Sequence, residues 1–187
     1  FIDLLRTEGA PVRLSSDLTR MLVHKKRAEH SAILVGTRTA LLDNPSLNVR
    51  SWYGPSPVRV VIDREGVLPD NVHLLDGQEP TLVFTEKVRE ARPNVEYIQA
   101  DFGQSLVSQL LEALYVRNLQ SLLVEGGAMT LQSFLDAGLW DEAFVEESPL
   151  RLQAGVQAPR MDEKKICGIE QHFGRLVRHY KASEDVI

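Results

Sequence analysis

The sequence is short of cysteine, of long apolar runs and of basic excess, and each shortage removes a class of protein. Cys167 is the single cysteine in 187 residues. It has no partner within the chain, so a disulfide scaffold and a cysteine-rich zinc site are excluded. No uninterrupted apolar run approaches the roughly 20 residues that a membrane span needs. No charged segment followed by an apolar core opens the chain, so no export signal is expected and a reducing cytoplasm fits best. The net charge is −5, which argues against nucleic-acid binding, because counterion release requires a basic surface. No GxGxxG, Walker, GxSxG or HExxH motif occurs. His24, His30, His73, His172 and His179 are scattered at spacings that suggest no metal site. What remains is 43% hydrophobic and 25% charged, the composition of one soluble domain with one core.

The charge is unevenly placed. Residues 1–64 hold ten Lys and Arg against six Asp and Glu, a balance of +4, and the remainder of the chain carries −9. A small anionic ligand near the first third would account for this, and so would a solvated face. The chain opens on an apolar FIDLL at Phe1 rather than on a methionine, so a segment upstream is expected.

Hydrophobic period and punctuation divide the chain. Ser15 and Ser16 can cap a helix over DLTRMLVHKKRAEH. AILVG (32–36) reads as a strand, TRTALLD as a short helix stopped by Pro45, and LNVR (47–50) as a further strand. VRVVID (58–63), TLVFTE (81–86) and VEYIQ (95–99) are strands. A helix over 105–118 leads into the strand SLLVEGG (121–127) and a helix over 128–139, with Gly138 near its end. EAFVEESPL (142–150) and FGRLVRHYK (173–181) alternate as late strands. Helix and strand alternate through the middle and the end is all β. The expectation is a three-layer α/β sandwich with a largely parallel sheet and antiparallel edge strands.

LLVEGGAMTLQSF carries the strongest local signal. A strand that ends in Gly-Gly and opens directly into a helix creates a concave site lined by amides, which suits phosphate. Gly126 and Gly127 allow close approach, and Ala128, Met129 and Thr130 lie at the positive end of the helix dipole. The plainer alternative is a tight strand-to-helix connection. Glu125, last before the glycines, sits at the carboxyl edge of the sheet, where open α/β folds bind ligands. It can accept hydrogen bonds from a sugar hydroxyl or orient an amine; equally, it can cap a helix or pair with an arginine. Thr37, Thr39 and Asp43 follow a strand end and can bond a ribose or phosphate, although Asp43-Asn44-Pro45 is also turn chemistry. Arg50 offers the planar fork suited to phosphate. Lys25, Lys26 and Arg27 end the first helix, where the dipole alone favours cations. Cys167, in KKICGIE, has no base beside it, and Trp52 and Trp140 read as packing residues.

Taken together, HKKRAEHSAILVG, TRTALLDNPSLNVR, PVRVVID and SLLVEGGAMTLQSFLDAGLWDEA resemble the C-terminal reductase domain of the bifunctional riboflavin-biosynthesis deaminase/reductase. The blocks match in order and spacing from about residue 14 to residue 150. The resemblance implies a dihydrofolate-reductase-like fold over residues 1–187, usually dimeric, and NADPH-dependent reduction of the ribosyl group of 5-amino-6-(5-phosphoribosylamino)uracil to ribityl. It implies that Thr39 and Asp43 hold the cofactor, with Gly126, Gly127, Ala128, Met129, Thr130 and Leu131 on its phosphates and nicotinamide side. Arg27, Leu47 and Arg50 fall on substrate-binding positions, with Glu125 facing the ribose or its amine. It assigns no catalytic residue and no metal to this chain.

The chain departs from the family pattern in places. Pro11 and Arg13 stand where the family often has serine and tryptophan, Arg64 stands where a serine commonly follows the VVID-like strand, and Asn44 replaces a second aspartate. Arg13 or Arg64 can pair directly with a 2′-phosphate. Phe1 falls just after the first strand of the family domain, and a zinc deaminase usually precedes that strand. The alternatives are a related reductase of the same fold with another substrate, and a non-catalytic dimerisation module of a deaminase.

Overall fold

The computed structural model describes residues 6–7, 10–11, 17–148 and 156–182. In chain order the elements are β1 (Arg6–Thr7), β2 (Ala10–Pro11), α1 (Asp17–Ala28), β3 (Ala32–Gly36), α2 (Thr37–Asp43), β4 (Val58–Ile62), β5 (Thr81–Thr85), β6 (Val95–Gln99), α3 (Leu106–Tyr115), β7 (Leu122–Gly126), α4 (Ala128–Ala137), β8 (Glu142–Glu147), β9 (Ile166–His172) and β10 (Arg175–Lys181). Short 3-10 turns cover His73–Leu75 and Glu163–Lys165.

Five strands form an all-parallel sheet in the order β6-β5-β4-β3-β7. A parallel sheet must be covered on both faces, and strands buried on both faces read as continuous apolar runs, as AILV and VVI do here. Alternation along β3 and β4 sends Ile33, Val35 and Val61 to one face, where they meet Ala40, Leu47, Leu68 and Leu74. Leu34 and Val60 go to the other, against Val107, Leu110 and Leu114 of α3 and Phe134 of α4. These are the three expected layers.

Arg59 sits in the middle of β4 and is 1% exposed. Its guanidinium donates to Thr81 Oγ1, to the carbonyls of His73 and Glu79, and to Asp76 Oδ1. A buried charge is tolerable only when so fully partnered. Burial pushes Asp76 up, but the Gln78 amide and Arg59 outweigh it and hold the carboxyl below its ordinary value.

Several expectations need correction. The late strands do not edge the parallel sheet: β8, β10 and β9 form a separate antiparallel sheet, in that order. The strand β9 was not foreseen, because ICGIEQH is largely exposed and lacks apolar alternation. Phe173 and Gly174, read as the start of a strand, are the turn between β9 and β10; both have positive φ, the requirement of a tight hairpin. LNVR is not a strand. Leu47 has φ +51, which is incompatible with extended pairing, and the amides of Val49 and Arg50 donate to Ser56 Oγ and His24 Nδ1 instead of to a neighbouring strand. The helix over 105–118 ends at Tyr115. Ser15 and Ser16 lie outside the described residues.

Candidate functional site at the switch point of the parallel sheet

The parallel sheet grows in two directions from β3: through β4, β5 and β6 on one side and to β7 on the other. Chain order therefore reverses between β3 and β7, and the crevice at the carboxyl ends of these strands is where open α/β sheets take ligands. The glycines lie here. A Cβ on Gly36, the last residue of β3, would fall 2.6 Å from Thr130 Oγ1, and one on Gly126 would fall 3.0 Å from Thr39 Cγ2 and 3.2 Å from its Oγ1. Each glycine lets a first-turn threonine close on a strand end. Gly127, at φ +73, turns the chain into α4, a conformation that costs glycine least.

Two hydroxyls and the first turns of α2 and α4 thus converge, and neither first turn carries an acidic residue. Thr37 Oγ1 donates to the Ile62 carbonyl and ties the start of α2 to β4. The first amides of a helix have no intrahelical acceptor and carry the positive end of the dipole. Thr130 is nearly buried, Ala128 half-buried and Met129 open to solvent. The Leu131 amide bonds back to the Gly127 carbonyl. Asp43 closes α2 one turn beyond Thr39, on the same face.

Glu125 occupies an unusual place in the ladder. Leu34 pairs with Val124 and Val35 with Gly126, so Glu125 is the extra residue of a bulge. Bulges re-aim a side chain, and this carboxylate meets α1. Arg27 Nε donates to Glu125 Oε1 and Arg27 Nη2 to Oε2, each at 2.7 Å, while Nη1 donates to the Asn48 carbonyl at 3.2 Å. The two side chains are 12% and 11% exposed. The arginine partnership anticipated for Glu125 is therefore realised. Arg27, expected on a substrate-binding position, is held as a clamp on that carboxylate.

Arg50 remains accessible, with Nη1 on Asn48 Oδ1 at 3.0 Å. It lines an open cavity of about 390 Å³ with Met21, Ser51, Trp52 and Tyr53. Tyr53 is 94% and Trp52 40% exposed, so Trp52 is not the packing residue expected, and Lys25 Nζ lies 5.8 Å from its ring. Leu47 is 2% exposed and packs in the core; only its main chain can meet a ligand. Arg64, on the loop after β4, pairs with Glu86 and Glu65 and lies over Phe102. Arg13 lies outside the described residues. Sequence reasoning passed over His24, buried on α1 and three residues before Arg27; its spacing on one helix face was the available signal.

The fold and site define an α/β domain with a glycine-lined crevice at its switch point and a carboxylate–guanidinium pair beside it. Residues 5–166 match the family model described as the RibD C-terminal domain, and the chain belongs to that family. It is 33% identical over 191 residues to a 2,5-diamino-6-ribosylamino-4(3H)-pyrimidinone 5′-phosphate reductase from Methanothermobacter thermautotrophicus, covering 97% of this chain and 88% of that protein. A riboflavin biosynthesis protein RibD from Bacillus amyloliquefaciens is 31% identical, over 79% of this chain but 42% of its own length. The Thermotoga maritima diaminohydroxyphosphoribosylaminopyrimidine deaminase/5-amino-6-(5-phosphoribosylamino)uracil reductase superposes with a TM-score of 0.81 at 30% identity, over 96% of this chain and 53% of that one. Among the described residues no helix is long and apolar enough to cross a membrane.

Proposed function

We propose that this chain is a pyrimidine reductase of riboflavin biosynthesis, reducing the ribosyl group of 5-amino-6-(5-phosphoribosylamino)uracil to ribityl with NADPH. The observation that carries the reading is the joining, at the β3/β7 switch point, of an acid-free pair of helix N-termini with a carboxylate held by Arg27. Reductase names among the relatives support it over a non-catalytic module.

The residues fit a dinucleotide. Thr39, Thr130 and the amides after Gly127 offer donors without a competing carboxylate in the first turns, as a diphosphate requires. Asp43 suits a ribose hydroxyl, and Arg64 can exchange an exposed glutamate pairing for a 2′-phosphate, which favours NADPH over NADH. The nicotinamide, when bound, supplies the reducing equivalent. The chain's own part is placement. Arg50 receives the substrate phosphate. Glu125 accepts one bond from Arg27 on each oxygen and, as an acceptor, suits a ribose hydroxyl or the amine. The Arg27 clamp stops that carboxylate from swinging, so the sugar is held in one orientation.

A second reading concerns the ring. The Methanothermobacter relative, with 88% of its length covered, is named for the 2,5-diamino pyrimidinone rather than the uracil. Loss of nicotinamide absorbance with each of the two pyrimidines decides between them, and turnover of neither rejects the reductase. The proposal also includes a homodimer and operation alongside a zinc deaminase; sedimentation of the protein as a monomer would remove the first.

A further inference from the structure

His24 is 4% exposed, and none of the roles above uses it. Its Nδ1 lies 3.3 Å from the Arg50 main-chain nitrogen, which donates to it. An amide can only donate, so Nδ1 carries no proton and the ring is the neutral Nε2–H tautomer. The bond crosses from α1 to the loop that carries Arg50, Trp52 and Tyr53. Among the described residues that loop has no strand partner to fix it, and Leu47 and Asn44 bring it round at positive φ. One helical face therefore holds the loop twice: Arg27 on the Asn48 carbonyl and His24 on the Arg50 amide.

We propose that His24 is a positioning residue, whose Nδ1 fixes the Arg50 main chain and so aims the guanidinium that receives the substrate phosphate. The inference rests on the phosphate role given to Arg50 above. It makes phosphate binding sensitive to acid, because a proton on Nδ1 would face the Arg50 N–H and break the bond. The charged groups around the ring are Arg27 on its own helix, Arg50 on the loop and Glu125 on β7. Burial first, then Arg27 and Arg50, pull His24 below its ordinary value, against Glu125 and an Asn48 main-chain bond. The neutral form is accordingly the one present at neutral pH.

The test is calorimetric titration of ribose 5-phosphate into wild-type, His24→Ala and His24→Asn proteins, with folding checked by circular dichroism. The Asn side chain can place an acceptor near the Nδ1 position. His24→Ala is expected to weaken binding about 3- to 10-fold, the worth of one neutral hydrogen bond, and His24→Asn to restore most of it. The phosphate itself titrates near pH 6, so the wild-type and Asn proteins share one acid limb. Only the wild type should show a further loss at lower pH. Adding His24→Ala to Arg50→Ala should cost nothing more. Wild-type affinity in a folded His24→Ala protein, an Asn variant as weak as the Ala one, or no binding of ribose 5-phosphate to wild type overturns the proposal. If ribose 5-phosphate binds as described but neither pyrimidine is reduced, the reductase reading fails and the role of His24 stands.

Discussion

The Arg27–Glu125 pair can be separated into charge and packing by experiment. Two unit charges about 4 Å apart attract by about 4 kcal/mol at an effective dielectric of about 20. The pair bridges 98 residues of chain, both oxygens are engaged at 2.7 Å, and the side chains are 12% and 11% exposed. Full burial would place the cost of removing one partner at about 3–5 kcal/mol. The residual exposure lowers the expectation for Arg27→Met to about 2–3 kcal/mol, because water can reach the abandoned carboxylate. Methionine keeps the apolar stem, so the loss reports the head group rather than the packing. Glu125→Gln should cost less, since the amide oxygen still accepts one bond. The double variant should recover part of the sum, because no uncompensated charge remains, with a coupling of about 1.5–3 kcal/mol. Urea unfolding of the four proteins measures it. A coupling below about 0.5 kcal/mol is the value of an exposed surface pair and would refute the view that this is a partly desolvated clamp.

Arg50→Ala should raise KM for the phosphorylated pyrimidine by the equivalent of about 1.5–3 kcal/mol, the worth of a charge-assisted contact, with a smaller effect on NADPH; equal losses for both ligands in steady-state kinetics would misplace it. Gly36→Ala drives a methyl into Thr130 Oγ1 and should destabilise by about 1–3 kcal/mol. Thr130→Ala in the same chain should return most of that, because the next atoms lie at 3.9 Å or beyond. Stability should fall with acid in two windows. His24 is lowered in the folded state, so below its ordinary value of about 6.5 the unfolded chain takes the proton more readily, and stability drops until the folded pKa is passed. Asp76, also lowered, contributes stability above the unfolded carboxyl value that is lost as pH falls through its folded value. Urea midpoints across pH, with His24→Asn removing only the first window, check both signs.

Most of the parallel sheet was readable because burial on both faces writes itself as unbroken apolar runs. AILVG and VEYIQ match β3 and β6 without adjustment, and VRVVID and TLVFTE each overrun β4 and β5 by one residue. The antiparallel sheet was less so. Its strand β9 is exposed over much of its length, and an exposed strand needs no apolar code. LNVR misled because its composition is β-like while Leu47 has positive φ, and the pairing of Arg50 with a histidine 26 residues earlier leaves no local trace. At the site, Gly126 and Gly127 were found from their chemistry, but the side chains that Gly126 accommodates were not foreseen. Gly126 and Gly36 make room for Thr39 and Thr130. That Glu125 faces an arginine was one of several readings of a strand-end carboxylate. Which arginine it is depends on where α1 lies against β7, and no sequence period encodes that.

The bulge at Glu125 connects these observations. In an unbroken ladder Val35 would face Glu125; skipping it releases the carboxylate toward α1. Arg27 then has a fixed partner, and with its remaining nitrogen it holds the Asn48 carbonyl. Three residues before it, on the same side of the helix, His24 holds Arg50. The position of an exposed guanidinium is therefore set, through one helix face, by a register shift in the sheet. The Gly126–Gly127 turn into α4, proposed above to meet phosphate, begins at the very next residue, so the same shift fixes where that turn starts. The proposed substrate and cofactor ends of the crevice are in this way referred to a single irregularity in β7. Restoring regular pairing there should disturb both at once, whereas lesions at Arg50 or Thr130 should each disturb one.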